Sequence, residues 1–492
     1  MEILEAFIRM NQYLHKYKNL PVQMKASLWF LICSFMQKGI AMITTPIFTR
    51  ILTTAEYGEF SVFNSWMQII TPVVSLNLFS GVYAQGLVKF EEDRNCFSSS
   101  LQGLMLTLVV AWTMVYLAAT EFWNRLFALS TVEMLSMMLM IFASGAFSFW
   151  SMNQRVDFKY RQLVIFTIAA SILQPTISII FMLHSTNKVL ARIIGSTVVQ
   201  MVLYGWMYMD MMAKGRLFYS KQYWTYALHF NIPLLPHYLS MNILNSSDRI
   251  MIGSMVGKSE VGIYNLAYSI SLIMTMFNTA LLQTIEPWIY RKLKKKRAID
   301  IAQVAYPCFF LIAGLNILLI MFAPEVISIF APPSYQEAIW TVPSVALSVY
   351  FMFLYTFFAT FEFYYEKTQY IAAATVGGAL LNIVLNYICI RKFGYIAAGY
   401  TTLFSYMLFA LLHYHFMRKI CKEFLNDLCP YNTKIIVGIS IGSILCGFGI
   451  MATYHNIIIR YAVFAVLVVV LFCGRKKAMK LVKLILEIKK IK

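Results

Sequence analysis

Apolar residues in this chain fall into long runs separated by short polar stretches. A helix needs roughly 20 mostly apolar residues to cross a bilayer. Fourteen candidate runs lie near 26–48, 60–88, 100–120, 134–150, 163–183, 189–209, 228–255, 263–289, 301–323, 338–363, 369–390, 396–416, 433–453 and 457–473. The pattern predicts an all-α polytopic membrane protein with about 14 transmembrane helices. The first and seventh runs are the least hydrophobic. They carry Gln37, Lys38 and Thr44–Pro46, and His229, Asn231, Asn242, Asn245, Asp248 and Arg249. Polar groups in hydrocarbon are costly, so such spans are expected to line an interior cavity rather than face lipid.

Composition sharpens this. The chain is 60% hydrophobic and 13% charged, against about 45–50% and about 25% in soluble domains. That excludes an ordinary soluble enzyme and a disordered or fibrous protein. The formal charge of +19 would suggest nucleic acid on a soluble domain. Here the basic residues sit between apolar runs and are read as topology signals, with no nucleic-acid partner. With a cytoplasmic N-terminus, 30 of the 41 Lys and Arg fall on the inside, 6 outside and 5 within spans, a strong positive-inside bias. An even span count returns the C-terminus to the cytoplasm. The first 25 residues show no cleavable signal, because the first apolar run is too long and no small-residue cleavage site follows. All outside loops are short, so neither an extracellular domain nor a cytoplasmic ATPase domain is expected. The tail Arg475–Lys492 intersperses Met479, Val482, Leu484, Ile485 and Ile488 among lysines. It reads either as a segment lying on an anionic leaflet or as a solvated basic tail. The eight cysteines are scattered without metal-ligand spacing, which argues against a disulfide scaffold or a zinc site.

An internal repeat follows the first and seventh runs. At an offset of 204 residues, Glu56 matches Glu260, Gly58 matches Gly262, Phe60 matches Tyr264 and Ser65 matches Ser269. Each glutamate falls in the first turn of a helix, where the dipole favours an anion. The offset spans six helices, an even number, so the halves share one orientation and form a parallel repeat, with sites expected between the halves. The expected division is a cytoplasmic segment 1–25, a six-helix lobe 26–209 and a linker 210–227. A second lobe 228–416, a helix pair with its preceding loop 417–473 and a basic tail 474–492 complete it. One decoy is set aside. Gly253–Ser259 resembles a phosphate-binding loop, but it has three residues between its glycines where four are required, and no strand precedes it.

Two stretches carry a family resemblance. The first is Gln37-Lys38-Gly39, Pro46-Ile47-Phe48-Thr49-Arg50-Ile51-Leu52-Thr53 and Glu56-Tyr57-Gly58. The second is Pro233-Leu234-Leu235-Pro236-His237, Ser247-Asp248-Arg249-Ile250-Met251-Ile252-Gly253 and Val261-Gly262-Ile263-Tyr264. Together they resemble polysaccharide (O-antigen type) flippases of the multidrug/oligosaccharidyl-lipid/polysaccharide exporter superfamily, over roughly residues 24–420. The resemblance implies two six-helix lobes around a cavity that opens alternately to each side. It implies a non-enzymatic function, moving undecaprenyl-diphosphate-linked oligosaccharide from the inner to the outer leaflet of a bacterial cytoplasmic membrane. An ion gradient of H+ or Na+ would drive it, with no other cofactor. Expected partners are the lipid-linked oligosaccharide, membrane lipids and a polysaccharide polymerase. Residues 433–473 resemble an extra helix pair found in some members.

Moving a diphosphate and its sugars through hydrocarbon without help is prohibitively slow, so cations within spans become candidates. Lys38 sits mid-span, and in the related lipid II flippases the matching position carries an arginine facing the cavity. The alternative is a lysine paired with a carboxylate for packing. Arg249 is a candidate phosphate contact, and Arg50 reads more as a gate or a snorkelling residue. Asp248 and Arg249 are adjacent, about 100° apart on a helix, and are expected not to face the same direction. They read as a latch or as interfacial residues. Glu286 and Glu362 are candidates for a coupling proton; otherwise each is an interfacial acid, beside Arg291 or Lys367. His237 can titrate near neutral pH or serve as a hydrogen-bonding residue. Pro46, Pro72, Pro175, Pro233 and Pro236 are expected hinge points. The competing functions are a cation-coupled drug exporter of the same superfamily and, third, a membrane polysaccharide polymerase.

Overall fold

A computed structural model describes residues 21–473. The predicted leaflet-binding tail and most of the N-terminal segment lie outside the described residues. The described residues contain no β-strand, and each predicted span falls on a helix or a broken pair of helices. In chain order these are α1 (Val22–Ile51), α2 (Thr54–Ser75), α3 (Gly81–Lys89), α4 (Arg94–Ala118), α5 (Thr120–Phe127), α6 (Thr131–Val156), α7 (Tyr160–Leu183) and α8 (Lys188–Gly215). There follow α9 (Lys221–Asn231), α10 (Leu235–Met255), α11 (Lys258–Ser271), α12 (Met274–Lys294), α13 (Ile301–Met321) and α14 (Ala323–Phe330). The last are α15 (Val342–Tyr364), α16 (Thr368–Phe393), α17 (Ala397–Phe424), α18 (Thr433–Met451) and α19 (Ile457–Cys473). Ten helical segments among the described residues are long and apolar enough to cross a membrane.

Three runs expected as single spans are interrupted. The second breaks after α2, where Leu76 and Asn77 take left-handed φ of 47° and 52°, a conformation Asn tolerates better than most residues. The seventh breaks at the three-residue turn Ile232–Leu234, where Pro233 brings no amide hydrogen to continue the ladder. The eighth breaks between α11 and α12 at Leu272 and Ile273. By contrast, Pro46, Pro72 and Pro175 lie inside unbroken α1, α2 and α7. A proline mid-helix does not by itself open the chain when neighbours hold both flanks.

The chain packs as two compact units. Among the described residues, one comprises 21–48 and 66–238, the other 49–65 and 239–473. In the first, α8 packs against α6, α7 and α4. Its core holds Tyr83 edge-on to Phe149 at 4.7 Å, with the Tyr83 hydroxyl donating to Ser98 Oγ at 2.8 Å. Helix α6 starts with a capping box, in which Glu133 accepts from the Ser130 amide and hydroxyl.

In the second unit, α15 is the central helix. It packs most extensively against α17 and also touches α11, α12, α13, α16 and α18. Its run from Val342 through Glu362 is nearly continuous buried surface. An all-round apolar helix of this kind has no lipid face, so any polar residue on it must find its partner within the protein. Helices α18 and α19 belong to this unit. α19 is pinned by Arg460, which pairs with Glu325, while the Tyr454 hydroxyl before it donates to the Ile320 carbonyl at 2.6 Å.

Candidate functional site

The repeated glycines meet each other. α2 and α11 begin with the matched segments and cross at Gly58 and Gly262. A methyl group at Gly58 would lie 1.8 Å from the Lys258 carbonyl oxygen, and one at Gly262 would lie 2.1 Å from that of Thr54. Thr54 and Lys258 stand at the same offset as the glycines, so the crossing is reciprocal. The Thr54 and Ser259 hydroxyls lie 2.6 Å apart, and Lys258 Nζ is 3.0 Å from Glu59. The lysine of the rejected phosphate-loop pattern is thus spent on an ion pair at a helix start.

Arg50 and Thr49, at the end of α1, serve the end of α14. Arg50 Nη2 donates to the Ile329 carbonyl at 3.0 Å, and Thr49 Oγ1 donates to that of Phe330 at 2.6 Å. Cations and hydroxyls at a helix C-terminus satisfy its orphan carbonyls.

The polar stretch of α10 turns inward. Asp248 and Arg249 are 2% and 7% exposed, so both side chains are enclosed by protein. Arg249 Nε donates to Asn265 Oδ1 at 2.9 Å, and its Nη1 donates to the Asn245 carbonyl at 2.7 Å and stands 3.4 Å from Asp248 Oδ1. The guanidinium lies over the Tyr268 ring at 4.0 Å. Asp248 Oδ2 accepts from the Tyr264 hydroxyl at 2.5 Å. The expectation that these neighbours face apart is therefore corrected. The Cβ directions diverge, but the long arginine side chain folds back along the helix and meets the carboxylate. Its charge is balanced inside the protein, between α10 and α11, and it holds helices together instead of offering a free cation.

Asn245 extends this network. Its Oδ1 accepts from the Tyr406 hydroxyl of α17 at 3.1 Å. Tyr406 stacks on Tyr355 of α15 at 6.3 Å, and Tyr355 stacks on the His413 imidazole at 5.3 Å. His413 Nδ1 is 2.7 Å from Glu362 Oε1, and the two side chains are 1% and 0% exposed. Glu362 thus pairs with a histidine and not with Lys367, which is occupied by Glu423 at 2.7 Å. His413 is the residue that sequence reasoning missed. The available signal was a histidine within an apolar run, without the pairing that gives it meaning.

The remaining candidates lie on α1, α12 and the first turn of α10. Lys38 stands exposed on α1, without a hydrogen-bond or ion-pair partner among the described residues. The half-buried Glu286 accepts from the Tyr290 hydroxyl one turn on at 2.8 Å, and among the described residues pairs with neither Arg291 nor another cation. His237 is half-buried beside Tyr238, and its Nδ1 has no hydrogen-bond partner among the described residues. Outside the spans, the six-cation loop after α12 is organised by Asp300, 2.6 Å from Lys292 Nζ and 3.2 Å from Arg297 Nε. The Lys292 hydrogen bond chiefly holds the Asp300 carboxyl below its usual range. In the segment after α17, the hydrogen bond from Cys421 and, further down, the nearby Arg418 lower the Cys429 thiol from its ordinary value.

Comparison with known proteins agrees with this architecture. A family model described as "Polysaccharide biosynthesis protein" matches residues 24–293, and a second, MatE, matches 233–388. "Lsg locus putative protein 1" of Haemophilus influenzae is 25% identical over 165 residues, covering 32% of this chain and 40% of that protein. The "probable low-salt glycan biosynthesis flippase Agl15" of Haloferax volcanii is 24% identical over 208 residues, covering 40% and 43%. The matched stretches thus span less than half the length of these two relatives. Among solved structures, the lipid II flippase MurJ in an inward closed conformation superposes with a TM-score of 0.70 at 14% identity, covering 91% of this chain and 99% of that one. These similarities are to flippases and transporters rather than to enzymes. This multi-pass membrane protein has the fold of the multidrug/oligosaccharidyl-lipid/polysaccharide exporter superfamily, and with more than half its length matched it belongs to the polysaccharide biosynthesis protein family.

Proposed function

We propose that this protein flips a diphosphate-linked oligosaccharide on a polyprenyl lipid from the inner to the outer leaflet of the cytoplasmic membrane, by alternating access and at the expense of an ion gradient. The observation that carries the reading is the family match over residues 24–293 on a MurJ-like fold. The chemistry of the chain supports it. A head group bearing two phosphates needs cationic, wet surroundings to leave the membrane interface, since each bare charge in hydrocarbon costs several kcal/mol or more. Lys38, exposed on a 30-residue apolar helix and without an ion-pair partner among the described residues, suits an anionic cargo. Arg249, already neutralised by Asp248, acts as scaffold for α10 and α11. The flipped units would then be substrate for a polymerase on the outer face.

The test is a strain lacking this protein. Its lipid-linked saccharides are extracted, sorted by leaflet accessibility, and compared with the surface glycan. Complete repeat units held on the cytoplasmic face, with surface glycan lost, are expected. Repeat units already outside, with altered chain length, would point to polymerisation. The MatE match over 233–388 favours a second reading, export of small cationic molecules. That reading takes first place if neither saccharide pool changes.

A further inference from the structure

We propose that Glu362 and His413 form one proton-binding site within the second unit, and that loading and unloading this site couples proton movement to cargo movement. The coupling half rests on the flippase reading above; the binding half stands without it. The geometry is that of a shared proton. Glu362 Oε1 and His413 Nδ1 lie 2.7 Å apart, on the two helices of this unit that pack most extensively together. The far atoms of the pair, Glu362 Oε2 and His413 Nε2, are buried and have no hydrogen-bond partner among the described residues.

A pair so placed is stable with one proton between its two groups, because it is then net neutral whether written as carboxylate and imidazolium or as acid and imidazole. Removing that proton leaves a lone carboxylate, and adding a second leaves a lone imidazolium. Either is expensive in apolar surroundings. The ionisable groups facing the pair from neighbouring elements do not relieve this. Among the described residues, Tyr355 on α15 stacks on the imidazole and Tyr406 on α17 stacks on Tyr355, while Tyr290 of α12 lies 5.5 Å from Tyr364 and Tyr431 lies 6.2 Å from Phe361, the residues flanking Glu362 along α15. Among the described residues, no lysine, arginine or second carboxylate is hydrogen-bonded or ion-paired to either group. Exchange with bulk water therefore requires α15 and α17 to part enough for water to reach Oε2 or Nε2. In that step a proton binds to or leaves one oxygen or nitrogen lone pair, and no other bond changes.

The same pair is mechanically connected to the other polar centre of this unit. His413, Tyr355 and Tyr406 form a continuous stack, and the Tyr406 hydroxyl reaches Asn245, whose carbonyl holds Arg249. A movement of α17 that hydrates the pair also pulls on the Asp248–Arg249 network. This gives proton binding a route to the helices that must rearrange.

The experiment uses the full chain in proteoliposomes, with a fluorescent undecaprenyl-diphosphate disaccharide as flipping probe and a trapped pH dye. Infrared difference spectra between acid and alkaline pH are recorded on the same preparations. Glu362→Gln preserves an acceptor for the histidine; His413→Asn and the double variant accompany it, with thermal unfolding as a folding control. The expected result is a protonated-carboxyl band in the wild type that E362Q lacks and that H413N shifts. A proton gradient is expected to accelerate flipping in the wild type, and this acceleration is lost in both variants while gradient-free exchange persists. An unchanged carboxyl band in E362Q, or a wild type whose carboxyl and imidazole bands do not change between acid and alkaline pH, overturns the binding site. Wild-type flipping that ignores the proton gradient, or acceleration that survives in both variants, overturns the coupling and leaves the flippase reading intact. If the wild type does not flip the probe at all, the flippase reading fails, and the infrared band alone decides whether the pair binds the proton.

Discussion

The crossing of α2 and α11 gives a prediction whose magnitude the geometry sets. In Gly58→Ala the new methyl meets backbone on three sides: Lys258 O at 1.8 Å, the Gly262 amide nitrogen at 2.8 Å and Lys258 C at 2.9 Å. Backbone atoms cannot rotate away as a side chain would. The two helix starts must separate until the closest distance reaches the 3.4 Å of ordinary van der Waals contact. Alanine gains about 1 kcal/mol of helix propensity over glycine. Overpacking of this kind costs about 1–3 kcal/mol and sometimes more, and the separation also loosens the Thr54–Ser259 and Glu59–Lys258 contacts. The clash should win, leaving G58A less stable by about 1–2 kcal/mol. Gly262→Ala, at 2.1 Å from Thr54 O, should behave alike. Because both methyls are relieved by one separation, the double variant should cost less than the sum of the singles. The control is Gly314→Ala on α13, where nothing lies within 4 Å; it should be neutral or slightly stabilising. Thermal unfolding of the purified proteins in one detergent reads all four. The reasoning is refuted if G58A and G262A unfold at the wild-type temperature, or if their effects simply add.

Four further outcomes are expected. Asp248→Ala strands a buried guanidinium and the Tyr264 hydroxyl, and should destabilise by about 3–5 kcal/mol; an unfolding shift no larger than that of a surface substitution would contradict the network. Lys38→Glu should abolish surface glycan while the protein still reaches the membrane, and glycan at wild-type level would remove the argument for a cationic contact with cargo. Cys429, with its thiol lowered by Cys421, should be alkylated by iodoacetamide at neutral pH faster than an ordinary cysteine; labelling should slow as pH falls and vanish in Cys429→Ser, which mass spectrometry of the labelled peptide checks. Asp300 has a depressed carboxyl, so its contribution to loop order is fully present above the ordinary carboxylate range and is lost as pH falls through the depressed value. Limited proteolysis after Lys295–Arg297 should therefore rise in acid, and Asp300→Asn should show that susceptibility at every pH.

Residues within this fold differed sharply in how much the sequence alone revealed. Hydropathy is a local sum along the chain. The sequence by itself therefore determined that these are membrane helices, roughly where each lies, and that a glutamate-glycine pattern recurs where α2 and α11 begin. It also marked α10 as too polar for lipid. Partnerships were decided only by tertiary structure, because they join residues far apart in sequence. Glu362 reaches His413, 51 positions on, while Lys367, five positions away, goes to Glu423. Helical angles placed Asp248 and Arg249 on different faces, yet a flexible side chain several bonds long closed the gap. The same holds for the glycines. Their repetition was legible, but the reason for it was the approach of one backbone to another across 204 residues, a distance that no local pattern encodes.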